Sequence, residues 1–321
     1  MQSFRAQVAI LVVWEDQGKH LIQHSVVEAN GIEFRVAEAG DPGAPAVLLL
    51  HGFPEGSMSW GPVMERLPGL HLLAPDLRGY PGTSRPAREP RGSNGYDVFA
   101  LTDDIRALIE ALGLVRPLLV AHDWGGALGW IFAHRFSPLI RKLVIVNCTH
   151  PRTLVRAAVH NQDWQPFRIP WVPIFEIPWV PEAMLSTRLG RATLRFSFTI
   201  REGRKGAMNR VLVDELVGRF QHARDLAPPI DWYRAMVATH LLRKRRAPLY
   251  ALYDQPISVP VTMVWGMKDG ALPAKIAMRS GADAGCEVEW RPLPGVGHFV
   301  SLEAPDELAA EIDRALASAP A

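Results

Sequence analysis

Apolar and polar side chains alternate from residue 25 to residue 38, broken only at Asn30-Gly31. That dipeptide between alternating stretches predicts a hairpin closed by a tight two-residue turn. Short, continuous apolar runs follow at Ala46–Leu50, His71–Pro75, Leu118–Ala121, Leu143–Val146 and Val261–Trp265. Runs of this length without alternation predict strands buried on both faces. Between them, Leu101, Ile105, Leu108, Ile109 and Leu112 keep helical spacing and stop at Gly113, a residue suited to ending a helix. Residues Ala127–Phe136 and Pro305–Leu316 also read as helices. Buried strands alternating with helices predict an α/β fold, a largely parallel sheet covered on both faces.

From residue 151 to about residue 245 the strand pattern disappears. Prolines at 166, 170, 173, 178 and 181 break the chain, aromatic residues are frequent, and helix-like segments follow. The expected organisation is a core over residues 1–150, a mainly helical cap inserted over 151–245, and a return to the core over 246–321. Residues 1–24 form an N-terminal arm in this reading. Its apolar run Val8–Trp14 is too short to span a bilayer. Glu15 and Asp16 follow it where a signal-cleavage site needs small residues. The run reads as an extra strand or a surface-packed arm.

Composition narrows the partners. The 321 residues are 48% hydrophobic and 21% charged, ordinary for a soluble globular protein. A net charge of +2 counts against nucleic acid or an anionic membrane as the main partner, since phosphate binding needs a concentrated basic face. The basic run Arg243–Arg246 reads as a solvated helix end. Cys148 and Cys286 cannot build a disulfide framework and have no metal-ligand spacing around them. A reducing, cytoplasmic location without metal or cofactor is the expectation.

Reactive groups in an open α/β sheet gather beyond the carboxyl ends of the strands. After Leu118–Ala121 comes His122-Asp123-Trp124-Gly125-Gly126, with a helical pattern starting at once. Small residues at Ala121 and Gly125 flank Asp123 as a sharp strand-to-helix elbow requires, and no G-x-S-x-G occurs elsewhere. A helix N-cap is the alternative role for Asp123. Asp269 stands past Val261–Trp265, and His298 lies in the glycine-rich loop Gly295–Gly297 before the last helix. Nucleophile, acid, histidine is the chain order of an elbow-based triad. The loop His51-Gly52-Phe53-Pro54 can turn the Phe53 N–H towards Asp123, beside the Trp124 N–H, as an oxyanion hole. His51 itself reads as a loop brace.

A carboxylate nucleophile attacks an sp³ carbon and forms an alkyl ester, which a histidine-activated water then hydrolyses. The motifs HGFPEG (51–56), DLRGY (76–80), HDWGG (122–126), WGMKD (265–269) and GHF (297–299) together resemble the epoxide hydrolases of the α/β-hydrolase superfamily. The resemblance covers residues 25–315 and implies the α/β-hydrolase fold, an inserted cap and an epoxide and water as substrates; the Trp, Phe, Ile and Pro of the cap point to an apolar epoxide. Haloalkane dehalogenases are near relatives that share the aspartate nucleophile. By resemblance, Tyr233 in Asp231-Trp232-Tyr233-Arg234 is the cap tyrosine that protonates the epoxide oxygen. The register set by Glu176–Glu182 puts Trp171 where the family carries a second tyrosine. An indole donates a hydrogen bond but releases no proton at useful pH. Three readings therefore stay open: epoxide hydrolysis with Tyr233 as acid and Trp171 binding substrate; dehalogenation with Trp124 and Trp171 as halide donors; and a fold retained for binding without turnover.

Overall fold

A computed structural model describes residues 22–86 and 95–320 of the chain. Its strands are β1 (Gln23–Ala29), β2 (Ile32–Ala39), β3 (Ala46–Leu50), β4 (His71–Pro75), β5 (Leu118–His122), β6 (Lys142–Val146), β7 (Val261–Gly266) and β8 (Val288–Leu293). They form one sheet in the order β1-β2-β4-β3-β5-β6-β7-β8. β1 pairs with β2, and β2 with β4, antiparallel; all other neighbours are parallel. Asn30 and Gly31 sit at φ 51° and 70° between β1 and β2. Positive φ at both positions is what the turn that matches strand twist needs.

Every residue of β4, β5, β6 and β7 is buried, which is why these strands read as unbroken apolar runs. β8 carries no such signal. It is an edge strand, partly exposed, and its Glu289, Arg291 and Pro292 mask it in the sequence. The apolar run Val8–Trp14 lies outside the described residues.

The main flanking helices are α1 (Val98–Ala111), α2 (Asp123–Phe136), α3 (Pro151–Val159), α4 (Arg188–Ile200), α5 (Arg210–Gly218), α6 (Ala223–Leu241), α7 (Arg243–Tyr253) and α8 (Pro305–Ala317). Asp97 caps α1 by accepting from the N–H groups of Phe99 and Ala100. At its other end Gly113 adopts φ 63°, and the Leu114 N–H returns to the Ile109 carbonyl, closing the helix as the sequence predicts. Apolar side chains of α8, among them Leu308 and Ile312, join Trp60, Val63 and Met64 on one face of the sheet. Residues of α1 and α2 pack on the other face, continuous with the core of the helical segment.

All residues from Pro151 to Tyr253 that have regular structure are helical, and β7 follows. Arg243–Arg246 opens α7 and is largely exposed, as a solvated helix end should be. Among the described residues, no helix is long and apolar enough to cross a membrane.

One buried ion pair fastens the helical segment to the sheet. Asp76, just past β4, accepts both guanidinium nitrogens of Arg219 at 2.9 and 2.6 Å, and the Ser57 N–H at 2.7 Å. Arg35 adds a longer contact of 3.3 Å. Burial alone would raise the Asp76 pKa, but Arg219 reverses this and holds it below the ordinary value. Removing one partner of a buried pair strands the other charge and costs about 3–5 kcal/mol. Asp76→Ala should therefore lower the unfolding free energy in urea by about that amount; a loss below about 1 kcal/mol would mean the pair adds little.

Candidate active site

β5 runs directly into α2, and Asp123 is the first helical residue, at φ 49°. A non-glycine residue in this region costs about 1–3 kcal/mol, so its surroundings must enforce it. Gly125 allows the approach: a Cβ there would lie 2.4 Å from the Leu50 carbonyl oxygen, and its N–H bonds the His51 carbonyl at 3.1 Å. Gly52 is equally constrained, since a Cβ on it would come within 2.4 Å of Asp123 Cβ. The elbow thus presses against the loop after β3 and turns the Asp123 side chain into a cavity at the carboxyl ends of the strands.

Four strand ends converge on that carboxylate. Phe53 donates its N–H to Asp123 Oδ1 at 2.9 Å. The Trp124 amide lies in the first turn of α2, where N–H groups lack intrahelical acceptors. His298 brings Nε2 to 3.5 Å from Asp123 Oδ2, while its Nδ1 lies 2.7 Å from Asp269 Oδ2. Asp269 Oδ1 accepts the N–H groups of Ala271 and Leu272, and Oδ2 also accepts from Asn147 Nδ2 at 2.7 Å. Asn147, at the end of β6, sits at φ 41° and accepts the Gly266 N–H at 2.7 Å, joining β6 to β7.

The charges follow from these contacts. Burial opposes ionisation of Asp123, yet the His298 hydrogen bond and charge, with the Phe53 N–H, bring its pKa down to about 2. Burial also opposes a charged His298, but Asp269 and Asp123 outweigh it and raise that pKa to about 10. Asp269 is lowered against its own burial by His298, Asn147 and the Leu272 N–H. These contacts favour an imidazolium between two carboxylates.

Two further residues brace the site from below. Glu55 Oε2 lies 2.7 Å from His122 Nδ1 and accepts the Gly52 N–H at 2.8 Å. His122 Nε2 reaches the His298 carbonyl at 2.9 Å. Both ring nitrogens of His122 therefore face acceptors, and the ring ties the loop after β3 to the loop carrying His298. Asn147, Glu55 and His122 were not singled out by sequence, although Glu55 and His122 fall within the matched motifs. His51 is a brace, as expected: its Nε2 accepts the Leu77 N–H at 3.0 Å, which leaves Nδ1–H to donate to the Gly52 carbonyl at 2.9 Å.

Above Asp123, helices line a cavity of about 870 Å³, mostly with apolar side chains. Tyr233 on α6 packs edge-on against Trp124, centroids 4.7 Å apart, and against Phe175 and Phe53 at 5.0 and 6.0 Å. Burial and the nearby Asp123 charge push the Tyr233 pKa up, while hydrogen bonding with the indoles of Trp124 and Trp171 and the charge of Arg201 pull the other way. Trp171, in the short helix Trp171–Phe175, lines the same cavity. Arg234 secures this segment by bonding Glu182, Asp231 and the carbonyls of Phe175 and Ile177. Arg201 places its guanidinium 4.4 Å from the centre of the Trp171 ring. Nothing in the sequence marked Arg201, because it meets Trp171 only through folding.

Residues 45–173 match the family model described as alpha/beta hydrolase fold. Epoxide hydrolase 2 of Caenorhabditis elegans is 30% identical over 290 residues, spanning 88% of this chain and 76% of that protein. Epoxide hydrolase 3 of Mus musculus is 28% identical over 284 residues, spanning 88% and 73% respectively. Among solved structures, an epoxide hydrolase from Vigna radiata is 26% identical, with a TM-score of 0.75 over 95% of this chain and 99% of that one. The elbow, the convergent strand ends and these relatives agree with the resemblance seen in the motifs, and the chain belongs to the epoxide hydrolases of the α/β-hydrolase superfamily.

Proposed function

We propose that this enzyme opens an apolar epoxide to a vicinal diol through an alkyl ester on Asp123. The observation that carries the reading is one carboxylate meeting three partners: Phe53 N–H at Oδ1, His298 at Oδ2, and the Tyr233 phenol across an apolar cavity. The helical segment from residue 151 acts in this account as the cap that brings the phenol over the nucleophile.

In the first step an Asp123 oxygen forms a bond to an epoxide carbon as that carbon's ring C–O bond breaks. The departing alkoxide takes the Tyr233 proton. Before attack, burial and the Asp123 charge keep the phenol protonated. Esterification removes that charge, so the phenol becomes easier to deprotonate as the alkoxide forms. The indoles of Trp124 and Trp171 stabilise the phenolate, with the Arg201 cation over the Trp171 ring.

The same loss of charge changes His298. One of the two carboxylates that kept it protonated is now a neutral ester, so its proton passes to the Tyr233 phenolate. Neutral His298 then takes a proton from water as hydroxide attacks the Asp123 carbonyl carbon. The oxyanion falls on the Phe53 and Trp124 N–H groups. On collapse the ester C–O bond to the substrate oxygen breaks, that oxygen takes the His298 imidazolium proton to complete the diol, and the new Asp123 acid gives its proton back to His298, so the site returns to imidazolium, carboxylate and phenol. Asp269 orients the ring and balances its charge throughout. Dehalogenation would need no acid above the nucleophile; the Tyr233 phenol lining the same cavity beside Trp124 supports the epoxide instead.

Tyr233→Phe removes the acid and leaves the His298 imidazolium to protonate the alkoxide directly, which still delivers neutral His298 for the second step. Pre-steady-state ester formation should slow by about 10²–10⁴-fold while hydrolysis of preformed ester changes little; an unchanged rate of ester formation would remove Tyr233 from the mechanism. His298→Gln should block the second step instead. Intact-mass measurement after mixing with an epoxide such as styrene oxide should find the protein heavier by one substrate, with peptide mapping placing the adduct on Asp123. An adduct elsewhere, or full turnover in this variant, would contradict the ester route.

A further inference from the structure

Five large apolar residues that line the active-site cavity are also 61–75% exposed: Val159, Phe167, Phe196, Ile200 and Leu241. They come from α3, α4, α6 and the short helix Gln165–Arg168, so they ring the cavity mouth from several sides. Trp164, 68% exposed, packs on Phe167 with ring centroids 5.7 Å apart, and exposed Leu242 follows Leu241. Isolated exposed apolar residues need no explanation, but a contiguous patch rimming a cavity marks an interaction surface.

The basic run borders this rim. Arg243–Arg246 starts at the turn where Leu241 and Leu242 end α6. Arg246 and, from α3, Arg152 both place their guanidinium groups over the Tyr250 ring, which sets the run beside the helix ending at Val159. Among the described residues, none of Arg243, Lys244, Arg245 and Arg246 forms an ion pair. Asp254, directly after the same helix, is already engaged with Arg152. The overall charge of +2 therefore hides a local excess of unpaired positive charge next to exposed apolar side chains.

We infer that the cavity mouth docks on an anionic lipid surface, with Val159, Trp164, Phe167, Leu241 and Leu242 entering the headgroup boundary and Arg243–Arg246 facing lipid phosphates and carboxylates. Apolar side chains flanked by Lys and Arg are the combination that holds a protein in the plane of a bilayer interface. A second copy of the chain fits less well, because a symmetric contact over this face brings the basic run towards its own like charge. Docked in this way, the cavity opens into the phase where apolar epoxides concentrate. That delivery role rests on the proposed epoxide activity; lipid binding does not.

The test is sedimentation of the full chain with vesicles of phosphatidylcholine alone and with phosphatidylserine added at about one part in four. The expected result is binding to the anionic vesicles, weakened by salt, and lost by more than about tenfold in Arg243→Glu/Lys244→Glu and in Trp164→Ser/Leu242→Ser. Both double variants should keep wild-type turnover of a water-soluble epoxide, which shows them folded and separates this result from any failure of the activity itself. No binding to anionic vesicles, or equal binding to both compositions, would overturn the proposal. A concentration-dependent dimer abolished by Trp164→Ser/Leu242→Ser, without vesicle binding, would assign the face to a second copy instead.

Discussion

Keeping a carboxylate ionised on the floor of an apolar cavity is the constraint on which the rest of the site depends. Burial pushes the Asp123 pKa up, and only close donors and a cation bring it to about 2. The cation is the His298 imidazolium, itself stable there because Asp269 lies behind it. Asp269 in turn is held by Asn147 and two backbone amides. Each support comes from a different strand end, so the parallel sheet is what makes the charge affordable. The positive φ of Asp123 and the glycines at 52 and 125 are the local cost of pressing those strand ends together.

In the proposed mechanism the helical segment has the opposite task, to cover the charge without neutralising it. It supplies a phenol, an indole and apolar walls, and stacks its Arg201 cation on the Trp171 ring. Two ionic clamps hold it in register. Arg219 ties it to Asp76 beside the sheet, and Arg234 ties the strand-free stretch 175–182 to the helix carrying Tyr233. In the proposed mechanism the charge on Asp123 controls both neighbours. While it is present the phenol stays protonated and His298 stays charged; once it is esterified both can release a proton.

The central strands were legible because burial on both faces leaves an unbroken apolar run, and β8 was not because an edge strand carries charged residues and a proline. Asp123, Asp269 and His298 stood out because each follows such a run or a glycine-rich loop in the chain order this elbow requires. Trp171 could be found only through its register with Glu176–Glu182. Asn147, Glu55, His122 and Arg201 escaped because their significance lies in partners distant in sequence: His122 meets Glu55, 67 residues away, and Asn147 meets Asp269, 122 residues away. The basic run 243–246 reads from its local pattern as a solvated helix end, and so it is; its place beside the cavity mouth emerges only from the fold, where it follows Leu241 and where Arg152 of α3 reaches Tyr250 and Asp254.

The claim that matters most is that Asp123, not water, makes the first bond to the substrate. A single turnover in ¹⁸O-labelled water, with enzyme in excess over epoxide, tests it directly. The ester route predicts a first-turnover diol free of solvent oxygen, with the label appearing in the Asp123 carboxylate. Labelled oxygen in that first diol would mean that water attacks the epoxide carbon, and the nucleophile would have to be reassigned.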